Sequence, residues 1–347
     1  MLVLKTFNLI EGKITIRQHR DMSMNVKYWG VRGSIPSANE PEGWMLHIEG
    51  LMRNFFSMGY REPAQIQKFL TSMPIPTVGG YGTATTCAEV TNNSSTIIID
   101  GGSGIRNLSE KIMSGTYGRA RGPYHIFITH FHWDHVIGLP FFTPHFLPGS
   151  QIHYYAVQPE LEKLIRGVFM KPYFPVAFEA LQAKVFFHVL EPRKPIEVEG
   201  FQITPYKLDH PDPCWGYKIE CGGRTYSHCV DTEATRVSRE ELGEDLPLYQ
   251  NSNLMYFDAQ YTFPELAEKA NWGHSAAQIG LDIAFREGID RVIFAHHDPG
   301  ATIMTVQDLQ KQTETYYNYR LTKSQEKQES LPRVQWEFAF EGMEVQV

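Results

Sequence analysis

The sequence has few cysteines, no long apolar run and no excess of basic residues. Its four cysteines are Cys87, Cys214, Cys221 and Cys229. They form no Cys-x-x-Cys pair, so neither a zinc ribbon nor a disulfide framework is indicated. No window approaches the uncharged apolar length that a membrane span requires, and Met1 to His19 lack the hydrophobic centre of a cleavable signal. We therefore expect a cytoplasmic protein without membrane contact.

The charge balance narrows the class of ligand. The 347 residues include 32 Lys and Arg against 39 Asp and Glu, a formal net charge of −7. Proteins that grip long nucleic acid rely on many Lys and Arg contacts to phosphate, so this balance argues against such a role. A small substrate fits better. The hydrophobic fraction of 42% is that of a folded globular protein.

Short β-branched and aromatic runs recur along the chain and predict strands. They are Asn25 to Trp29, Cys87 to Thr91, Thr96 to Asp100, His125 to Thr129, Gln151 to Ala156, Phe201 to Leu208, Trp215 to Glu220, Leu254 to Asp258 and Arg291 to Ala295. Helical patterns lie at Glu160 to Phe169, Ser275 to Glu287 and Ile303 to Tyr317. This layout predicts sheets covered by helices, with polar residues in loops at the strand ends.

We interpret residues 1–347 as a single domain with one inserted segment. Trp44 to Leu70 is rich in Met, Leu and Phe at roughly helical spacing, which indicates a helical insertion over 40–76. We expect the apolar face of this insertion either to pack on the core or on a partner subunit, or to form a lid over the substrate. We interpret residues 1–24 as an extra amino-terminal segment. It is either an added strand or sequence that precedes an alternative start of translation at Met22 or Met24.

Three histidines and one aspartate occur within the six positions His130-Phe131-His132-Trp133-Asp134-His135, directly after an apolar run. Imidazole and carboxylate groups hold zinc and related metals in open catalytic sites. A strand that leads into a tight turn can point His130 and His132 one way and Asp134 and His135 another. The motif predicts a metal site and allows a second metal beside the first.

Further candidate ligands follow predicted strands downstream. His210 precedes Pro211, Asp231 follows a short β-like run, and His296 comes directly after Arg291 to Ala295. Each residue alone could be a cap or turn residue. His297 is an alternative ligand. We favour His296, because His296 is the residue that immediately follows the strand.

Together these motifs resemble the metallo-β-lactamase superfamily, whose members carry Thr-His-x-His-x-Asp-His, a lone His, a bridging Asp and a final His. Four further strings are similar to its phosphodiesterase-like branch, which includes tRNase Z and cyclic-nucleotide hydrolases such as the anti-Pycsar phosphodiesterases. They are Tyr28-Trp29-Gly30-Val31-Arg32-Gly33-Ser34-Ile35-Pro36, Asp100-Gly101-Gly102-Ser103-Gly104-Ile105-Arg106, Trp272-Gly273-His274-Ser275 and His296-His297-Asp298-Pro299. The resemblance covers about Val26 to Pro299. It implies an α/β fold, the αββα sandwich of two facing mixed β-sheets flanked by helices.

The resemblance also implies the arrangement of ligands. One metal would be held by His130, His132 and His210, and the other by Asp134, His135 and His296, with Asp231 bridging the two. The expected cofactors are two divalent ions, zinc with manganese or iron as alternatives. Such ions lower the pKa of a shared water and neutralise phosphoryl oxygens, so a bridging hydroxide would be the nucleophile. Asp134 would orient it or accept its proton.

A proton donor for the leaving group is indicated at His274. An imidazole titrates near neutrality and suits general-acid work, and the resemblance implies that this position faces the site. The same residue could instead begin a helix beside Ser275. Arg32 and Arg106 are expected either to meet phosphate or to form surface salt bridges.

The resulting hypothesis is a metal-dependent phosphodiesterase that cleaves a small cyclic nucleotide. A tRNase Z-like ribonuclease is the nearest alternative, although the basic tRNA-gripping arm expected of it is not evident. A thioester or lactone hydrolase and a non-catalytic metal-bound sensor are further alternatives, because a fold does not fix a function. The expected partners are a small phosphodiester substrate and a second copy of the chain in a homodimer.

Overall fold

The computed structural model describes residues 9–10, 13–14, 23–38, 40–115 and 122–347. Most of the extra segment predicted over 1–24 lies outside these residues. Within it, β1 (Leu9–Ile10) and β2 (Lys13–Ile14) form a two-stranded antiparallel sheet.

Fourteen further strands build two seven-stranded sheets among the described residues. In chain order they are β3 (Asn25–Gly30), β4 (Cys87–Thr91), β5 (Thr96–Ile99), β6 (Tyr124–Phe127), β7 (Gln151–Ala156), β8 (Lys184–Val189), β9 (Ile196–Val198), β10 (Phe201–Lys207), β11 (Trp215–Cys221), β12 (Arg224–Cys229), β13 (Leu254–Asp258), β14 (Arg291–Ala295), β15 (Gln335–Phe338) and β16 (Glu344–Gln346). All nine predicted strands are present, with bounds that differ by at most two residues at either end.

The α-helices of the described residues flank these sheets. They are α1 (Pro41–Ser57), α2 (Ile66–Ser72), α3 (Ile75–Gly79), α4 (Ile105–Met113), α5 (Trp133–Val136), α6 (Leu161–Val168), α7 (Arg239–Leu242), α8 (Ala277–Glu287) and α9 (Ile303–Glu326). The three predicted helices correspond to α6, α8 and α9, and α9 continues well beyond its predicted end at Tyr317.

The first sheet has the order β16-β3-β4-β5-β6-β7-β8 and the second the order β15-β14-β13-β12-β11-β10-β9. Strands β5 to β8 and β12 to β15 run parallel, and the other pairs are antiparallel. Both sheets are therefore mixed. The three consecutive isoleucines of β5 are each buried, as expected for a strand whose two faces are covered.

The main core lies between the sheets and is rich in aromatic residues. Tyr28 stacks on Tyr256 across the interface, and Phe127 stacks on Tyr155. A second apolar layer joins one sheet to α8 and α9, and a third joins the other sheet to α4 and α6. This is the αββα sandwich, so the predicted fold class is confirmed.

Strands β15 and β16 explain the carboxyl-terminal tail, which the sequence patterns left without an interpretation. β15 pairs with β14 at the edge of the second sheet, and β16 pairs with β3 at the edge of the first. The tail therefore links the two sheets by adding one strand to each.

Helices α1 to α3 occupy the segment that was predicted as a helical insertion. None of the 17 residues of α1 is buried, whereas α2 buries Phe69 against Phe55, with the ring centroids 5.4 Å apart. That this segment is an insertion stays a prediction. No helix among the described residues is long and apolar enough to cross a bilayer.

Candidate metal centre

The predicted ligands come from chain positions just beyond the carboxyl ends of strands. His130 follows β6, His210 follows β10, Asp231 follows β12, and His296 directly follows β14. Where parallel strands lie side by side, their carboxyl ends meet at one edge of the sheet. Two such edges, one from each sheet, therefore face a common space.

The structure brings all seven predicted ligands together in two groups. The first contains His130, His132, His210 and Asp231, and the second contains Asp134, His135, Asp231 and His296. Within each group, one potential ligand atom from every residue lies within 4.8 Å of all the others. Asp231 belongs to both groups, so its carboxylate is the point at which they join.

Several ring nitrogens in these groups have no hydrogen-bond partner. The Nε2 atoms of His130, His135 and His210 are buried and unpaired among the described residues. A buried polar atom without a partner costs about 1–3 kcal/mol. Three such atoms converging on carboxylates constitute a donor set that fits divalent cations, since neutral imidazole and carboxylate are their common protein ligands.

In three of the candidate ligands, one nitrogen of the imidazole ring is held by a neighbouring group. His132 Nε2 lies 2.8 Å from an oxygen of Asp212, His135 Nδ1 lies 2.8 Å from Asp100, and His296 Nδ1 lies 2.9 Å from Gln260. Such contacts fix the tautomer and the orientation of metal-binding histidines. They leave Nε2 of His135 and Nε2 of His296 to face the cluster, at 3.3 and 2.9 Å from Oδ1 of Asp231. The sequence interpretation did not identify these supporting residues.

Burial and nearby charges shift the pKa values of the histidines in opposite directions in the two groups. Burial lowers the pKa of His130 well below its ordinary value and also lowers the pKa of His210. Burial alone would lower the pKa of His296 too, but the nearby carboxylates of Asp231 and Asp134 raise it to about 10. The second group therefore concentrates negative charge at a point where a cation would be stabilised.

His274 lies beside the cluster and is paired with a carboxylate that the sequence interpretation missed. Its Nδ1 atom is 2.9 Å from Oδ2 of Asp258, and its ring centroid is 4.8 Å from that of His296. Asp258 is the fully buried last residue of β13. An aspartate that ends a strand was the only sequence signal for it, and that signal is shared by many turn residues.

Two glycines allow the loops to approach the histidines closely. A Cβ atom on Gly33 would lie 2.3 Å from Nδ1 of His296, and one on Gly273 would lie 2.2 Å from Cδ2 of His210. Gly273 has a φ of 90°, and its amide donates to Glu233 at 2.9 Å. The backbone amide of Ser34 donates to Asp134 Oδ2 at 2.7 Å and so fixes that carboxylate.

Of the two adjacent histidines, only His296 reaches the cluster. His297 is fully buried, and its Nε2 atom lies 2.8 Å from the carbonyl oxygen of Ala339. His296 has a φ of 63°, an uncommon conformation for a residue other than glycine and one that often marks a functional site. His228 also lies outside both groups and contacts the hydroxyl of Tyr226.

The expectation that Arg32 meets phosphate or forms a surface salt bridge is wrong. Arg32 is buried and donates to the backbone carbonyl oxygens of Gly82, Asp298 and Ala301, which ties together the loops behind the cluster. Its local sequence resembles an exposed turn, but the tertiary fold covers it. Arg106 forms an exposed i,i+4 salt bridge with Glu110, the second of the two expectations.

Comparisons with known proteins identify the superfamily of this chain. A family model described as the beta-lactamase superfamily domain matches residues 95–297. The ribonuclease Z of Staphylococcus carnosus (strain TM300) is 28% identical over 141 residues, 39% of this chain and 42% of that protein. The ribonuclease Z of Ligilactobacillus salivarius (strain UCC118) is 30% identical over 131 residues, 36% of this chain and 38% of that protein. The matches thus span less than half the length of these curated relatives.

Solved structures show the same fold at low sequence identity. The metallo-beta-lactamase fold protein YhfI from Bacillus subtilis has a TM-score of 0.58 at 16% identity, covering 94% of this chain and 100% of that one. Human tRNase Z, short form, has a TM-score of 0.56 at 15% identity, covering 92% and 98%. A diphosphatase from the PhnP family has a TM-score of 0.52 at 15% identity, covering 93% and 97%.

Proposed function

We propose that this chain, a metal-dependent hydrolase of the beta-lactamase superfamily, belongs to the phosphodiesterase-like branch and hydrolyses a small cyclic-nucleotide phosphodiester. The observation that carries the proposal is the cluster of seven ligands with the His274–Asp258 pair at its side. We propose two divalent ions, zinc in the first instance, held by the two groups that share Asp231. Such ions activate water and neutralise charge on phosphoryl oxygens.

The side chains around the cluster supply the proton transfers. Asp134, held by the Ser34 amide, is positioned to orient the attacking water and accept its proton. His274 is positioned to protonate the leaving alkoxide, because the contact between its Nδ1 and Asp258 fixes the orientation of the ring. In this proposal Nε2 of His274 donates the proton, because Nδ1 is held by Asp258.

Two exposed tryptophans support a substrate that contains a nucleobase. Trp133 lies between His132 and Asp134 in sequence and is 63% exposed, and Trp272 lies two residues before His274 and is 64% exposed. Exposed aromatic rings provide faces on which a nucleobase can stack. The net charge of −7 favours a small nucleotide over a long RNA.

A tRNA 3′-processing ribonuclease is the second candidate, because the curated relatives named above are ribonucleases Z. One screen separates the two. Purified metal-loaded protein would be incubated with 3′,5′-cyclic purine and pyrimidine nucleotides, short RNA and pre-tRNA, with the products identified by mass. Opening of a cyclic nucleotide without cleavage of pre-tRNA supports the first proposal, and the reverse result supports the second.

A model substrate tests the hydrolase itself. We expect hydrolysis of bis(p-nitrophenyl) phosphate that is abolished by chelation, restored by zinc, and lost in His210→Ala. His188→Ala is the matched control, because His188 is a partly exposed histidine of β8 that lies outside both ligand groups. Failure of the fully metallated protein to cleave any phosphodiester would overturn the proposal.

We also propose that the chain forms a homodimer through α1. Its exposed apolar residues include Met45 at 71%, Leu46 at 63% and Met52 at 55%. Apolar surface on this scale is stabilised by association. Light scattering after size exclusion should give twice the chain mass, and the double variant Met45→Glu/Leu46→Glu should be monomeric. A monomer at high concentration before substitution contradicts the proposal.

A further inference from the structure

An open cavity lies outside the metal cluster, on the flank formed by α8 and α9. Its volume is about 510 Å³, within the range of about 300–1,000 Å³ found for ligand pockets. None of its lining residues belongs to the metal-ligand groups. Its walls come from α8, from one face of α9 and from the loop that carries Phe263.

The cavity contains a buried amide without a protein partner. Gln278, in the first turn of α8, is only 7% exposed. Its side chain forms no hydrogen bond with any described residue, and neither of its polar atoms is fully enclosed. Because Gln278 lines the cavity and its amide is not fully enclosed, this amide is the candidate polar group for a ligand and can offer a donor and an acceptor side by side.

Three aromatic residues line the same cavity. Phe263 and Tyr319 are 54% and 53% exposed, so their faces are available to a ligand. Tyr316 is held by two contacts from its hydroxyl to the carboxylate of Asp282, at 2.9 and 3.0 Å. The charged lining residue Lys311 is already paired with Asp308 at 2.9 Å. The lining thus offers aromatic surface and an amide, without an unpaired charge.

We propose that this cavity is a second binding site, separate from the metal cluster, for a neutral planar heteroaromatic ligand of the nucleobase type. Aromatic rings stack on such a ligand, and an amide pairs with the adjacent donor and acceptor on its edge. The lining contains no carboxylate, and its only lysine, Lys311, pairs with Asp308, so a neutral ligand is proposed. The inference does not depend on the phosphodiesterase activity, because a nucleoside contains no phosphodiester.

Calorimetric titration of the metal-loaded protein with adenosine, guanosine, cytidine and uridine tests the site. We expect saturable one-to-one binding of at least one nucleoside. Gln278→Leu should weaken it about tenfold, because it removes the paired amide at similar volume. Tyr319→Ala should weaken it similarly, and Tyr319→Phe, which keeps the ring, should not.

The same titration with His210→Ala separates this cavity from the substrate site. Binding within twofold of the unsubstituted protein supports a separate site. Loss of binding in His210→Ala would overturn the proposal, because the base would then be held at the metal centre. Absence of saturation by all four nucleosides, or unchanged affinity in both Gln278→Leu and Tyr319→Ala, would also overturn it.

Discussion

The close approach of Gly273 to His210 makes a sharp prediction for Gly273→Ala. The new Cβ atom would lie 2.2 Å from Cδ2 and 2.5 Å from Nε2 of the His210 ring. The ring cannot remain in place at these distances, and its Nε2 is one of the unpaired atoms that face the first ligand group. We therefore expect the substitution to misplace one ligand of one metal.

The magnitude follows from comparable disturbances of metal sites. Displacing the groups that orient ligands costs about 10–100-fold in metal affinity, which corresponds to about 1.4–2.8 kcal/mol. The positive φ of 90° at Gly273 adds about 1–2 kcal/mol of backbone strain for alanine. That strain would reduce the free energy of unfolding without itself changing the ligand geometry.

Gly223→Ala is the matched control for backbone strain. Gly223 has a φ of 78°, and a Cβ atom there would meet nothing within 4 Å. Metal affinity would be measured by competition with a chromophoric chelator, and the free energy of unfolding by urea titration. Both variants should lose the stability that a positive φ costs alanine, whereas only Gly273→Ala should also lose metal affinity and activity. Unchanged metal affinity in Gly273→Ala, or equal loss in both variants, would refute the reasoning.

Two further predictions concern single side chains. His274→Ala should lower turnover of a cyclic nucleotide by about 10²–10⁴-fold, the usual contribution of a general acid. It should lower turnover of bis(p-nitrophenyl) phosphate by less than about tenfold, because nitrophenolate leaves without a proton. Equal losses on both substrates would contradict the general-acid role of His274. Buried Asp245 contacts Arg193 and Arg236, and these contacts outweigh the effect of burial and hold its pKa below the ordinary value. Its contribution to stability is therefore present above the unfolded pKa of about 3.9 and is lost as the pH falls through the lower folded pKa. Asp245→Asn should cost about 2 kcal/mol at pH 7, and urea titration should show a smaller difference at pH 3; an identical difference at both pH values would contradict this account.

Sequence periodicity predicted most of the sheet framework but missed elements with weak patterns. Strand β8 has only intermediate and exposed residues, so it lacks the buried run that marks a central strand. Helix α4 follows a glycine-rich string that resembles a loop. Both elements are stabilised by tertiary packing against apolar residues distant in sequence, and this packing overrides local propensity.

The supporting residues of the metal centre could not be predicted for a related reason. Asp100, Asp258 and Gln260 each resemble ordinary residues at a strand end or in a loop when read along the chain. Their importance arises because each lies within 3 Å of a histidine nitrogen that is many positions away in sequence. The folded chain alone determines such pairs.

The sequence by itself indicated the candidate ligand set, because the His130 to His135 motif predicts a metal site and the resemblance to the metallo-β-lactamase superfamily implies its partners. The tertiary structure decided which of His296 and His297 faces the cluster, since a positive φ at His296 and the close approach of Gly33 orient its ring. It also decided that Arg32 is buried and donates hydrogen bonds to backbone carbonyl oxygens. The spacing of residues along the chain indicates which metal-ligating side chains are available. The orientation and burial of the histidine rings depend on contacts between segments that are distant in sequence.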